Sequence, residues 1–166
     1  MPLLLVLTGL PGSGKTTIAR AYTERYGGVH LSSDIVRAAL GLRGRYGPEA
    51  KQRVYDELLA QARRVLQSGQ DAIVDSVLHR EALRRPFRQL AEECGATCRW
   101  VQLRVSEDSV RTRLAKPRPD SEATLAVYEN LRDQWEEIEG EHLTLTADVL
   151  STEALLGAIR EYAQSP

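Results

Sequence analysis

Eight residues near the amino terminus carry the most specific chemistry in the chain. Gly9-Leu10-Pro11-Gly12-Ser13-Gly14-Lys15-Thr16 fits G-x-x-x-x-G-K-[ST] at every fixed position. Glycines at 9, 12 and 14 permit backbone conformations that bring amide N–H groups around phosphate oxygens. A helix opening directly after such a loop points the positive end of its dipole at the same anion. Lys15 reaches the β- and γ-phosphates, the Thr16 hydroxyl suits magnesium, and Thr17 extends the nucleotide-binding stretch.

Two carboxylates follow apolar runs. Asp34 comes just after Val29 to Leu31, and Arg37 stands one helical turn beyond it. A carboxylate there can accept the proton of an attacking hydroxyl. With equal economy, Ser33 or Asp34 caps a helix and Arg37 is solvated. Asp75 follows Ala72-Ile73-Val74, which fits a carboxylate that assists magnesium, through water, or one that orients an acceptor. Arg111, Arg113, Lys116 and Arg118 cluster where mobile arginines could neutralise a transferring phosphoryl group. Arg80, Arg84 and Arg88 recur at every fourth position and read as a solvated face, with a nucleic-acid-contacting face as the alternative.

The elements that must position these groups alternate along the chain. Leu3 to Leu7 is a continuous apolar run, as expected of a parallel strand covered on both faces. Further strands are expected at Val29 to Leu31, Ala72 to Val74, Arg99 to Leu103 and His142 to Leu145. Helical periodicity fills 49–67, 80–94, 106–116, 122–139 and 152–163, with Ser106 and Ser151 as candidate N-caps. Strands separated by helices imply an α/β domain with a doubly wound parallel sheet. In such a sheet the strand tips gather on one edge, which brings Asp34 and Asp75 towards the phosphate loop. The stretch 41–48, with Arg43, Arg45 and Tyr46, is a Gly-rich break, and 116–119 is a proline-broken basic loop.

Composition bounds the rest. The 166 residues are 42% hydrophobic and 27% charged, with a net charge of -1, ordinary values for one soluble globular domain. Nothing in that balance argues for a nucleic-acid or membrane partner. No apolar run is long enough to cross a bilayer, and Leu3 to Leu7 is too short for a signal peptide. Cys94 and Cys98 alone make neither a zinc signature nor a disulfide scaffold, which fits a reducing cytoplasm. A GTPase would show D-x-x-G and N-K-x-D. Here Asp75 is followed by Ser76-Val77-Leu78, and Asn130-Leu131-Arg132-Asp133 lacks the lysine.

Taken together, G-L-P-G-S-G-K-T-T at 9–17, S-S-D-I-V-R at 32–37, I-V-D-S at 73–76 and K-P-R-P-D-S-E-A-T at 116–124 resemble the small P-loop kinases. That group includes polynucleotide 5′-kinase, chloramphenicol phosphotransferase, gluconate kinase and zeta-toxin-like proteins. The resemblance implies a three-layer P-loop NTPase fold, with a five-stranded parallel sheet of order 2-3-1-4-5 and helices on both faces. It implies one kinase domain over 1–166 with a lid near 111–120. ATP and Mg2+ would be held by residues 9–17, with Thr16 and Asp75 at the metal. Asp34 would act as general base and Arg37 would touch the acceptor or the moving phosphate, with Asp75 near the acceptor. Lys15, Arg113 and Arg118 would complete the catalytic set, the last two as lid arginines. The expected activity is transfer of the γ-phosphoryl group to a hydroxyl of a nucleoside, sugar or antibiotic-like molecule. A 5′-hydroxyl kinase of RNA or DNA ends is the alternative, and a non-catalytic or toxin-like nucleotide-binding protein a third reading. The two prolines at 117 and 119 leave open which arginine would enter the site.

Overall fold

In the computed structural model, which describes residues 1–116 and 124–166, five parallel strands form one sheet of order β2-β3-β1-β4-β5. The strands are β1 (Leu3–Thr8), β2 (Val29–Ser32), β3 (Ala72–Asp75), β4 (Thr97–Arg104) and β5 (Leu143–Thr146). Between and after them run α1 (Lys15–Tyr26), α2 (Ser33–Ala39), α3 (Pro48–Gln67), α4 (Glu81–Glu93), α5 (Glu107–Leu114), α6 (Leu125–Asp133) and α7 (Thr152–Gln164).

The unbroken apolar run of β1 is explained by its central place. Leu4 and Val6 face one core with Val54, Leu58 and Ala62 of α3 and Phe87 and Leu90 of α4. Leu3, Leu5 and Leu7 face the other, with Ile18 and Tyr22 of α1 and Leu155 and Ile159 of α7. Successive side chains of a strand point to opposite faces, so only a strand covered on both sides can be apolar throughout. The result is three layers, helices on sheet on helices.

Ser106 and Ser151 do cap α5 and α7, accepting from the backbone N–H of Ser109 at 3.3 Å and Ala154 at 3.1 Å. Asp148 ties the chain after β5 to the start of α5. Its carboxylate accepts from the Ser106 N–H and the Ser109 hydroxyl, each at 3.0 Å. Those donors hold its pKa down at about 2.

Two expectations fail. The helix expected over 122–139 ends at Asp133, and residues 135–139 run as irregular chain. The irregular segment packs over Arg84, which is fully buried rather than solvated. Its guanidinium donates to the carbonyls of Leu78 (2.8 Å), Glu137 (3.0 Å) and Glu136 (2.6 Å) and to the Glu81 carboxylate (2.9 Å), and it stacks over Trp135. Arg88 adds a bond to the Glu139 carbonyl at 3.0 Å and an ion pair with Glu81. Arg80 donates to Gln134 at 2.7 Å. Arg84 and Arg88 thus form a clamp on the following segment, while Arg80 stays exposed at the start of α4.

Among the described residues no helix is long and apolar enough to cross a membrane. Burial pushes the Cys98 thiol up to about 11, so it carries little thiolate at neutral pH.

Candidate active site

The phosphate loop leaves β1 at Thr8, and α1 begins at Lys15. Gly14, at φ 90°, is its N-cap, a left-handed conformation that favours glycine. Gly9 is constrained by space as well: a Cβ there would meet the Leu103 carbonyl oxygen at 2.5 Å, because β4 runs against the loop entrance. The Lys15 ammonium donates to the Leu10 carbonyl at 3.2 Å, curling back over the loop it serves.

A cavity of about 310 Å³ opens beside this loop at the carboxyl ends of the strands. Pro11, Gly12, Gly14, Lys15, Thr16 and Thr17 form one wall. Asp34 and Arg37 from α2 and Asp75 from β3 form another, so the structure gathers these three around the loop. Gly9, Leu10 and Ser13 do not line it; the Ser13 side chain is turned inward and buried.

Asp75 is engaged on both oxygens. Its Oδ1 accepts from the Thr16 hydroxyl at 3.0 Å, and its Oδ2 lies 2.5 Å from His30 Nε2. Register explains the pairing: Ser32 of β2 sits beside Asp75 of β3, which leaves His30 two residues back on the same face. The juxtaposed hydroxyl and carboxylate are hard oxygen donors of the kind magnesium takes. No cluster of three or more His, Cys, Asp or Glu suited to a metal occurs among the described residues. A magnesium ion here would thus use one or two protein oxygens, with water and phosphate completing its shell.

Arg37 is held from two directions. Its Nη1 donates to the Arg45 carbonyl at 2.7 Å, and its guanidinium lies 4.6 Å from the centre of the Tyr46 ring. The Gly-rich break at 41–48 therefore folds over Arg37 and shapes the cavity wall. Arg37 Nε is buried and has no hydrogen-bond partner among the described residues.

Several lining residues were not legible as site residues in the sequence. Lys51 and Tyr55 of α3, and His79, line the cavity. So do Val127, Asn130 and Leu131 of α6. Burial raises the Tyr55 pKa; burial, then the nearby Arg80 and Lys51 charges, lowers that of His79. The loop 75–79 that carries Asp75, Ser76, Val77 and His79 turns at Leu78, whose φ is 43°. Arg84 holds that strained turn through the Leu78 carbonyl. Helical spacing around Arg84 gave no sign of this contact, which depends on where β3 ends.

Of the expected lid arginines, Arg113 lies on α5 and donates to the Gly12 carbonyl at 2.9 Å. It grips the phosphate loop from outside and does not line the cavity. Arg118, with the expected lid residues 117–120, lies outside the described residues.

Residues 4–138 match the AAA domain family (AAA_33). An adenylate kinase of Bacteroides thetaiotaomicron is 32% identical over 135 residues, covering 70% of this chain and 68% of that protein. A 2′,3′-cyclic-nucleotide 3′-phosphodiesterase of Pongo abelii is 41% identical over 63 residues. That match covers 37% of this chain and 15% of the relative's own length. The Mycobacterium tuberculosis APS kinase, solved with AMPPNP and APS, superposes with a TM-score of 0.75 at 17% identity, covering 99% of this chain and 100% of that one. Its likeness establishes a shared fold.

Proposed function

This chain belongs to the AAA domain family, and on that premise we propose that it is an ATP-dependent phosphotransferase acting on a hydroxyl of a small molecule. The observation that carries the reading is the single cavity in which Asp34, Arg37 and Asp75 face Lys15 and Thr16.

Each residue has a task in that geometry. The amides of the loop and the Lys15 ammonium bind phosphate oxygens and stabilise charge that grows as the phosphoryl group moves. Asp34 takes the proton from the attacking hydroxyl. Arg37, fixed by Arg45 and Tyr46, orients the acceptor or the moving phosphate through donors that need no reorganisation. Magnesium held by Thr16 and Asp75, in part through water, would neutralise charge on the phosphates. His30 keeps the Asp75 carboxylate turned towards Thr16.

A small acceptor is favoured over a nucleic-acid end by the fate of the arginines. Arg84 and Arg88 are engaged by backbone carbonyls and Glu81, which turns them away from a strand-binding role.

The test is acceptor-dependent ADP release across nucleosides, sugars, aminoglycosides and 5′-hydroxyl oligonucleotides. AMP joins the panel because the Bacteroides relative is an adenylate kinase. Release stimulated by a small alcohol supports the reading. Release only with oligonucleotides, weakening steeply with salt, replaces it with end phosphorylation. Nucleotide binding with no acceptor response across the panel removes the enzymatic reading.

A further inference from the structure

The cavity beside the phosphate loop has two sides, because the loop follows β1, α2 follows β2, and β3 stands between those strands. On the loop side Lys15 and Thr16 meet Asp75. The far side is walled by α2 and the opening turns of α3, which bring in Asp34, Arg37, Lys51 and Tyr55. Lys51 and Tyr55 are four residues apart on α3 and so share a face. Tyr55 in turn feels the charges of Arg37 and Asp34, which sets the four groups around one space.

Nothing within the protein neutralises Lys51. It is half-buried, and its ammonium has no hydrogen bond or ion pair among the described residues. It is also the fourth residue of α3, near the positive end of the helix dipole, where a cation is disfavoured. A lysine there does nothing for the helix that carries it. Its charge nevertheless reaches the cavity: after burial and Arg80, Lys51 is the next cause of the lowered pKa of His79, another wall residue. Arg37 likewise has no carboxylate partner among the described residues. The Arg45 carbonyl and the Tyr46 ring hold it in place without cancelling its charge.

The charges of the described walls can be assigned one by one. They hold three cations, Lys15, Arg37 and Lys51, and two anions, Asp34 and Asp75. His79, with a pKa below 6.5, is neutral at pH 7. In phosphotransfer Lys15 faces the phosphates and Asp75 the magnesium. What remains is Asp34 against Arg37 and Lys51, an excess of one positive charge on the acceptor side. The excess grows to two once Asp34 takes the proton of the attacking hydroxyl. Partly buried cations without a partner are costly, and an anion arriving between them removes that cost.

We propose that the acceptor is a hydroxylated anion, whose hydroxyl faces Asp34 and whose carboxylate or phosphate is held between Lys51 and Arg37. The proposal rests on the phosphotransfer reading and narrows its acceptor from any small alcohol to one that carries negative charge. In the transfer the acceptor oxygen bonds to the γ-phosphorus, the bond from that phosphorus to the leaving ADP breaks, and the hydroxyl proton passes to Asp34. The anionic group takes no part in that exchange; it fixes the acceptor in place. Lys51 is thus a specificity residue, a point charge with three donors, and Arg37 adds a planar guanidinium fork.

The test uses the whole protein loaded with Mg2+ and AMPPNP, which occupies the phosphate loop and resists transfer. Isothermal titration then compares glucose, glucuronate and glucose 6-phosphate, and in parallel glycerol, glycerate and glycerol 3-phosphate. Each series sets a neutral parent beside a carboxylate and a phosphate, so the arms tell which oxyanion fits. At least one anion should bind about tenfold or more tightly than its parent. Lys51→Gln should remove most of that preference while AMPPNP affinity stays unchanged, and added salt should weaken it. The proposal is overturned if the parents bind as well as the anions, if no anion binds, or if Lys51→Gln keeps the preference. Replacing AMPPNP with ATP and following ADP release separates this proposal from the reading beneath it. Lys51-dependent anion binding without ADP release supports the anion site and defeats phosphotransfer. ADP release driven by neutral alcohols alone keeps phosphotransfer and overturns the anion site. The comparison of anions with parents uses the unaltered protein and holds whether or not the variant folds.

Discussion

Thr16 and Asp75, 59 residues apart in the chain, meet hydroxyl to carboxylate at 3.0 Å where the phosphate loop faces the tip of β3. His30 occupies the other carboxylate oxygen, so Asp75 has little freedom to turn. Asp75→Asn keeps the shape and removes the charge. Half-saturation by Mg2+ should rise by about tenfold or more, since an oriented carboxylate is lost from the metal's surroundings. ADP formation measured against Mg2+ concentration checks this, and an unaltered Mg2+ response would place Asp75 in another role.

Lys15 contributes a positive charge at the place where phosphate charge develops. Lys15→Ala should slow transfer by roughly two to three orders of magnitude, the usual effect of removing one preorganised donor. Single-turnover transfer at saturating ATP isolates that loss from weaker binding.

Asp34 should matter for turnover and little for nucleotide affinity, because only the proton acceptor is lost in Asp34→Asn. A fall of roughly 10²–10⁴-fold in kcat is expected. Equilibrium ATP binding, measured in parallel, should stay close to wild type. Wild-type turnover in this variant would remove the base assignment.

Arg84 is a stability residue that also positions the site, through the Leu78 carbonyl beneath the 75–79 loop. Arg84→Met strands three carbonyls and leaves Glu81 with Arg88 and the Glu139 N–H. Breaking a buried charged network by removing one partner costs on the order of 3–5 kcal/mol. The urea midpoint should drop accordingly, and Arg84→Lys should rescue only part of it, since one ammonium cannot span those acceptors.

His79 links stability to pH. Burial, with Arg80 and Lys51 nearby, holds its folded pKa below the ordinary 6.5. Between those two values the unfolded chain binds the proton and the folded chain does not, so stability falls as pH drops below 6.5. His79→Gln should flatten that part of the curve, as read from urea midpoints on either side of 6.5.

What the sequence disclosed was whatever rests on local pattern. The apolar run of β1, the spacing of Gly9, Gly14, Lys15 and Thr16, and the strand-then-Asp order at 34 and 75 were legible because each lies within a few residues. The placement of both carboxylates by the loop followed from the rule that parallel strand tips share an edge. His30 was not legible, since its contact depends on the register of β2 against β3. Nor was the end of α6. The 3.6-residue period runs on past Asp133, whereas the contacts of the carbonyls of 136 and 137 with Arg84 join parts of the chain some fifty residues apart.

The parallel sheet also separates the two ends of the molecule. Gly69 and Gly95 sit in the turns that lead into β3 and β4, at the strand starts, and open space surrounds both. The cavity lies at the opposite edge, past Asp75. A tether, dye or surface anchor attached at either turn would thus leave the working edge facing outward, ready for immobilised or single-molecule measurement.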